Sequence, residues 1–172
     1  MNLSAIQPVL KAQVAAWTGI PAHWEDEPRP FGGPGIALLS IPAIVGLGRD
    51  EAIQSQDLGQ DLGQELQSEY RGVRLVTLTI KVEALDWTAG KTAQAYLEAA
   101  RTRAFWASSR DALAAVNVAP VRAMSPVDLS EARDGHRVNV ASLDLVLAVR
   151  TSEVDPARYG YVATVDLVPD FK

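Results

Sequence analysis

Hydrophobic and polar residues alternate strictly along one stretch near the middle of the chain, residues 71–86 (RGVRLVTLTIKVEALD). From Val76 onward every second residue is apolar, and the residues between them are mostly Thr, Lys or Glu. Because successive side chains of a β-strand point to opposite faces of a sheet, this pattern predicts a long strand with one buried face and one wetter face. We expect the rest of the fold to be arranged around this strand.

Other stretches have the spacing of a helix. At residues 3–17 apolar residues recur at steps of three and four, which predicts an amphipathic helix. Residues 89–106 are rich in strong helix formers and predict a second helix, opened by Thr88 or Gly90. A short helix is predicted at 111–116. The buried stripe of the second helix is predicted to consist of Ala93, Tyr96, Leu97, Ala100 and Ala104.

Further strands are predicted on both sides of the central one. They cover residues 36–47, 118–124, 137–150 and 159–168. In the first of them, Pro42 favours an edge position or a break, and Pro120 interrupts the second in the same way. In the third, Val138 and Val140 are out of phase with the apolar residues that follow, which predicts a bulge near Val140.

Polar or Pro/Gly-rich segments are predicted to connect these elements. Residues 23–35 read as an extended connector, 125–137 as a polar turn region, and 151–158 as a hairpin connection. Residues 49–69 contain a direct repeat of Asp-Leu-Gly-Gln and predict a long polar loop or hairpin tip. The resulting prediction is one α+β domain over residues 1–172, with a mostly antiparallel sheet of four to five strands and two main helices packed on one face.

Composition narrows the classes of function. A net charge of −5 argues against non-specific binding of nucleic acid, which needs a basic face. The chain has no cysteine, which excludes disulfides, zinc–thiolate sites and a cysteine nucleophile. No apolar run approaches the roughly 20 residues that span a bilayer, and the first residues do not have the pattern of a signal peptide.

Few residues suggest catalysis. The sequence Gly90-Lys91-Thr92 resembles the end of a phosphate-binding loop, but Leu85 stands where the first glycine of that motif belongs. His23 and His136 are the only histidines, and neither lies in a recognisable catalytic setting. The acidic residues beside His23 are consecutive, and consecutive residues rarely converge on one metal ion. We therefore predict no catalytic, cofactor-binding or metal-binding residue.

The polar face of the predicted sheet is a more informative feature. It carries Asp144 among charged and apolar neighbours, so it is expected either to face solvent or to meet a neighbouring subunit. The candidate subunit contacts, which flank or interrupt exposed strand faces, are Arg71, Arg74, Lys81, Glu83 and Arg150.

The order of these elements resembles the neck and tail-terminator proteins of tailed bacteriophages and prophages. The similarity covers most of the chain. It consists of an N-terminal helix, the segment WEDEPRPFGGPG before an apolar strand, the strand RGVRLVTLTIKVEALD, an alanine-rich helix, the segment VDLSEARDGHRVNVASLDLVLAVR and a last strand. No invariant motif marks the family, so the resemblance is one of pattern.

The resemblance implies a structural virion protein and no enzymatic activity or cofactor. Such a protein would form a ring, typically a hexamer, that terminates the tail tube, joins it to the head, and contacts the tail tube protein and the head–tail connector proteins. DNA would pass through the ring without specific binding. The protein would be made in the bacterial cytoplasm and would not associate with a membrane. Two alternatives stay open from the residues alone: a nucleotide-binding enzyme that uses Gly90-Lys91-Thr92, and a small monomeric binding module.

Overall fold

The described part of the chain forms three helices and eight strands. In a computed structural model of the protein, the residues described are 3–28, 34–48, 50–55, 67–84, 92–133 and 136–159. In chain order the elements are α1 (Leu3–Thr18), β1 (Ala22–Trp24), β2 (Gly35–Gly46), β3 (Glu51–Ser55), β4 (Gln67–Ala84), α2 (Ala93–Arg103), α3 (Ala107–Ala114), β5 (Val118–Ala123), β6 (Val127–Asp128), β7 (Glu131–Arg133) and β8 (His136–Tyr159).

The main path through the sheet runs β1-β2-β4-β8-β5. β1 lies parallel to β2, and every other pairing is antiparallel. The short strand β3 continues beside β4 where β2 ends, while β6 and β7 pair with β8. This arrangement confirms the predicted α+β fold with a mostly antiparallel sheet.

β4 is the centre of the sheet, as the alternating pattern predicts. It pairs with β2 and β3 on one side and with β8 on the other. Its apolar residues from Val76 to Ala84 are all buried, and Leu78 and Ile80 have no exposed surface. Leu143, Leu145 and Leu147 are buried on the same face of β8, so the two strands form the sheet side of the core.

The helices cover this face of the sheet. α1 contributes Ile6, Leu10, Val14 and Trp17 to the core, and these residues have the spacing of three and four that predicts the helix. α2 contributes the whole set predicted for it, and α3 adds Leu113. All three helices belong to one buried cluster with the apolar face of β4 and β8, so the helices lie on one side of the sheet.

The start of α2 differs from the prediction. The first residue of α2 is Ala93, and the Thr92 hydroxyl oxygen caps the helix by accepting a hydrogen bond from the Ala95 amide at 3.2 Å. Threonine is a preferred N-cap, because its side chain satisfies an amide that has no partner within the helix. The predicted openers, Thr88 and Gly90, lie outside the described residues. The third helix also starts earlier than predicted, directly after Trp106.

Both prolines in the outer strands coincide with irregularities, as predicted. The pairing of β2 with β4 shifts between Ser40 and Ala43, on either side of Pro42. The pairing of β5 with β8 shifts between Pro120 and Arg122. A bulge places an extra residue in one strand, and a proline is tolerated there because it has no amide hydrogen to donate.

β8 corrects two predictions, the hairpin connection at 151–158 and the bulge near Val140. The strand continues through the predicted hairpin connection at 151–158, because the start of β4 pairs with residues 151–154. The register then shifts, and pairing resumes between Gln67 and Tyr159. Of the predicted last strand, 159–168, only Tyr159 is described, and it belongs to β8. No shift in pairing occurs near Val140. The Val140 side chain is buried, which accounts for an apolar residue at this position without a bulge. The Leu129 amide donates a hydrogen bond to the Val140 carbonyl oxygen at 2.8 Å.

The polar segments also contain strands. β6 and β7 occupy the region predicted as a turn, where the backbone of 127–133 pairs with β8. β3 and the start of β4 form a hairpin within the segment predicted as a loop or hairpin tip, and residues 56–66 of that segment lie outside the described residues. β1 overlaps the start of the predicted connector at 23–35.

Candidate assembly surface

The sheet face opposite the helices, which we call the outer face, mixes polar and apolar side chains. On β4 it consists of the residues that alternate with the buried ones: Val73, Leu75, Thr77, Thr79, Lys81 and Glu83. Residues paired directly across strands lie on the same face, so the register extends the outer face over the neighbouring strands. Its composition therefore follows from the sequence and the pairing together.

The centre of the outer face is polar and its side chains contact one another. The Thr79 hydroxyl donates a hydrogen bond to Asp144 Oδ1 at 2.7 Å. One step along β4, Lys81 Nζ lies 3.4 Å from Glu83 Oε1. Asp144 thus lies on the face opposite the apolar stripe, as its phase in the sequence predicts. These groups suit a hydrated surface.

Exposed apolar side chains collect near the two outer strands of the sheet. Seven of the ten exposed large apolar side chains in the described part of the chain lie in two groups, each residue between 46% and 57% exposed. The first edge cluster, at the end of β2, is Ile44, Val45 and Leu47. The second edge cluster, on and after β5, is Val121, Met124, Val127 and Leu129. Isolated exposed apolar residues are common, but grouped ones often mark a contact surface.

Register explains why these clusters extend onto the outer face. Val45 pairs with Leu75, and Leu75 pairs with Ala148, which forms an apolar row across three strands. On the far side of β8, Val127 pairs with Ser142, which also faces outward. Sequence reasoning missed the second edge cluster because Val127 and Leu129 fall in the segment that reads as a polar turn, while Val121 and Met124 lie in the preceding predicted strand.

The five predicted contact residues lie in different places. Lys81 and Glu83 are on the outer face, whereas Arg74 shares the phase of Val76 and points to the other side. Arg71 and Arg150 have the phase of the outer face, but they also line a cleft with residues of α1 and of the segment after α3. Four of the five belong to ion pairs within the chain; in the described residues Arg150 has none. Their role as subunit contacts stays a prediction.

Arg74 fixes the connection between β2 and β3. Its guanidinium forms two hydrogen bonds with the Asp50 carboxylate, both at 2.6 Å. Such paired bonds hold an arginine and a carboxylate in one orientation. The hydrogen bond from Arg74 lowers the pKa of Asp50, and the same bond raises the pKa of Arg74. The pair therefore holds the turn after the first edge cluster against β4.

Glu69 is the most strongly perturbed carboxyl group described. Arg71 Nη2 donates a hydrogen bond to Glu69 Oε2 at 2.6 Å, and the Ser152 hydroxyl donates to the other oxygen. These two hydrogen bonds, with Arg71 the larger cause, lower the pKa of Glu69 from 4.5 to about 2. Because both side chains are in part accessible to solvent, screening limits what the pair adds to stability.

We expect the contribution of Glu69 to stability to depend on pH. Its pKa is lower in the folded chain than in the unfolded chain, so the contribution is present above pH 4.5 and is lost as pH falls toward about 2. The difference in free energy of unfolding between wild type and Glu69→Gln, from urea titrations, should shrink over that range. Ser152→Ala keeps the Arg71 bond and should retain part of the pH dependence. An equal difference at pH 6 and pH 3 would contradict this assignment.

The described residues give no separate support to metal chemistry. They contain no group of three or more His, Cys, Asp or Glu side chains arranged to hold a metal ion. Near His23, the Glu27 carboxylate binds Lys11 Nζ at 2.6 Å and the Trp24 amide at 3.0 Å. Thr92 serves as a helix cap, while Gly90 and Lys91 lie outside the described residues. The nucleotide-binding alternative therefore stays a prediction.

A charged cleft lies between the ends of α1, α3, β4 and β8. It has a volume of about 510 Å³, and its lining mixes Glu69, Arg71 and Arg150 with apolar residues. Ligand-binding pockets are usually lined mainly by apolar and aromatic side chains with a few polar groups. The binding-module alternative draws no direct support from this lining and stays a prediction.

Comparison with known proteins adds no family to this description. Neither the protein-family models nor the curated protein sequences contain a match to the chain. Among the residues described, no helix has both the length and the apolar character needed to cross a membrane.

Proposed function

We propose that this protein is a structural subunit of a tailed bacteriophage or prophage, and that it assembles into a ring at the head–tail junction. In this role the ring terminates the tail tube and joins it to the head, with DNA passing through without specific binding. The protein contacts the tail tube protein and the head–tail connector proteins, and its final location is the virion. The proposal includes no enzymatic activity and no cofactor.

The observation that carries this proposal is the position of the exposed apolar side chains. They form two separate clusters at opposite sides of one sheet, instead of a single patch. A subunit of a closed ring needs two different contact surfaces, because each copy meets one neighbour on each side. Two edge clusters on one subunit meet that requirement.

The outer face supports the same proposal through its charges. Its central charged residues contact one another, so they are satisfied without a partner. An interface core is depleted in charged residues and enriched in apolar ones, with polar groups at the rim. The edge clusters have the composition of an interface core, while the polar centre suits the lining of a hydrated surface.

The test is the absolute mass of the protein in solution, measured by light scattering over a concentration series. We expect a particle of about six times the 18.5-kDa chain mass, or a monomer that converts to it as concentration rises. Dissociation should be favoured at low concentration, since assembly follows mass action. A strict monomer at every concentration, including the highest attainable, would count against a self-assembling ring.

A further inference from the structure

Ring symmetry restricts which surfaces of this subunit can meet, if the proposed function holds. Neighbours in a six-membered ring differ by a rotation of about 60°, so the two contact surfaces must lie on nearly opposite sides of the subunit. A sheet face can meet the same face of another copy only through a half-turn, which produces a closed dimer. A closed ring is therefore expected to form through contacts at two opposite edges of the sheet, and not through contact between two outer faces.

The edge of β2 is open beyond Leu39. β1 covers β2 only from Ala37 to Leu39, and no other described strand pairs with that edge. The Leu47 amide donates to the Val73 carbonyl oxygen at 3.1 Å, so the backbone groups of Leu47 point toward β4. Because alternate residues direct their backbone groups to opposite sides, Ile44 and Gly46 present amide and carbonyl groups to the open edge.

The edge of β5 is open at the other end of the sheet. Among the described residues, β5 pairs only with β8. The carbonyl oxygen of Asn117 accepts a hydrogen bond from the Arg150 amide, and the Met124 amide donates to the Asp144 carbonyl oxygen. The backbone groups of Asn117 and Met124 therefore point toward β8. By the same alternation, Val118 and Ala123 direct their backbone groups outward.

We propose that the open edge of β2 in one copy pairs with the open edge of β5 in the next copy, so that the sheet continues around the ring. Unpaired backbone groups along a strand edge form a template that another strand satisfies. β2 is antiparallel to β4, β4 to β8, and β8 to β5, so β2 and β5 run in opposite directions. Copies in a ring share one orientation, and the new pair is therefore antiparallel like the rest of the sheet.

Side chains at the two edges fit this pairing. Joining the edges brings the first edge cluster of one copy beside the second edge cluster of the next, which removes apolar surface of both from water. The charges are opposite in sign: Glu51, the first residue of β3, is exposed beyond the end of β2, and Arg122 is exposed on β5. Arg122 makes no salt bridge with another described side chain. Opposite charges at two surfaces favour the correct orientation during encounter.

The prolines set the extent of the pairing. Pro42 alternates in step with Ile44 and Gly46, so its backbone faces the open edge of β2. Pro120 likewise has its backbone toward the open edge of β5. Neither proline has an amide hydrogen to donate, so each ends the run of possible hydrogen bonds along its edge. The intersubunit ladder is therefore short, and the apolar contacts of the edge clusters supply the rest of the contact.

Two edge variants test the proposal by complementation. Ile44→Lys places a charge on the β2 edge and leaves the β5 edge intact, and Val121→Lys does the reverse. Both side chains are about half exposed, so both variants are expected to fold, which circular dichroism would verify. The matched control is Thr77→Lys, which places the same charge at the centre of the outer face, away from both edges.

We expect each edge variant alone to be a monomer by light scattering. Their equimolar mixture should give a dimer of twice the 18.5-kDa chain mass and nothing larger, because only one intact contact is left per pair. Thr77→Lys should assemble like wild type. These three results together would support the edge pairing.

Other results would overturn it in distinguishable ways. If wild type forms the ring but the mixture stays monomeric, or either edge variant still forms the ring, the contact lies elsewhere and the ring proposal stands. If Thr77→Lys prevents assembly while the edge variants assemble, the outer face is the contact. If wild type itself is a monomer at every concentration, the proposed function fails together with this inference.

Discussion

Replacing Leu78 by alanine should lower the free energy of unfolding by about 2–5 kcal/mol, the largest effect we expect from a single change in the sheet. Leu78 has no exposed surface, and it lies on the central strand between two paired neighbours. The cost arises from the apolar surface lost and from the cavity that the rigid strands leave unfilled. Urea titration followed by circular dichroism would measure it.

Leu129→Ala is the matched control for this change. It removes the same atoms from a side chain that is 47% exposed on the outer face. Surface substitutions usually change stability by less than about 0.5 kcal/mol. Both variants should be measured in dilute protein, where assembly does not contribute. A small effect for Leu78→Ala would show that β4 does not face the core as described.

Replacing Trp17 by alanine should cost about 3–5 kcal/mol, because this large side chain connects two helices at the centre of the core. It is 2% exposed, and its indole Nε1 donates a hydrogen bond of 2.9 Å to the Ser109 hydroxyl of α3. Removing the ring therefore deletes both buried apolar contacts and a buried polar pair. The measurement is again the free energy of unfolding.

Ser109 provides a sharper test of the same contact. Ser109→Ala should cost about 1–3 kcal/mol, because it leaves the buried indole N–H without its partner. The double variant with Trp17→Ala should be less destabilised than the two single effects together, since both remove one interaction. Ser108→Ala is the matched control, because the Ser108 side chain is exposed and should tolerate the change. Strict additivity would argue against the hydrogen bond.

The elements that the sequence predicts best are those with a strong pattern of their own. β4 alternates over nine residues, and its buried face is correct at every position from Val76 to Ala84. The buried stripe of α2 is also correct in full. In both cases the local period and the tertiary burial agree, so no other part of the chain is needed to recognise the element.

The predictions that failed depend on partners far away in sequence. The segment 151–158 contains Asp155 and Pro156 and reads as a connection, yet its residues 151–154 pair with the start of β4, and β8 continues through a register shift to Tyr159. β6 and β7 form for a similar reason, since β8 offers an edge to a polar segment. Val140 is out of phase with the apolar residues that follow it because it lies on the outer face, and the sequence alone does not show that this position is buried.

The assembly surface was predictable only in part. Charged residues on the outer face were evident from the phase of β4, but the sequence does not show that Arg71 and Lys81 have partners within the chain. The second edge cluster was not evident, because the alternation in 127–129 is too short to indicate a strand face. Which edges of the sheet are open depends on strand order, which a single sequence leaves undetermined.

The long pairing of β4 with β8 has a consequence for synthesis of the protein on the ribosome. β4 ends at Ala84, whereas its partner continues to Tyr159, 75 residues later. At about 5–20 residues per second, the central strand waits roughly 4–15 s for the complete partner. During that interval the edge of β4 that pairs with β8 has no native partner, although α1 and α2, which cover its apolar face, are made earlier than β8. Molecular chaperones that bind extended segments should therefore associate with the nascent chain until β8 has emerged.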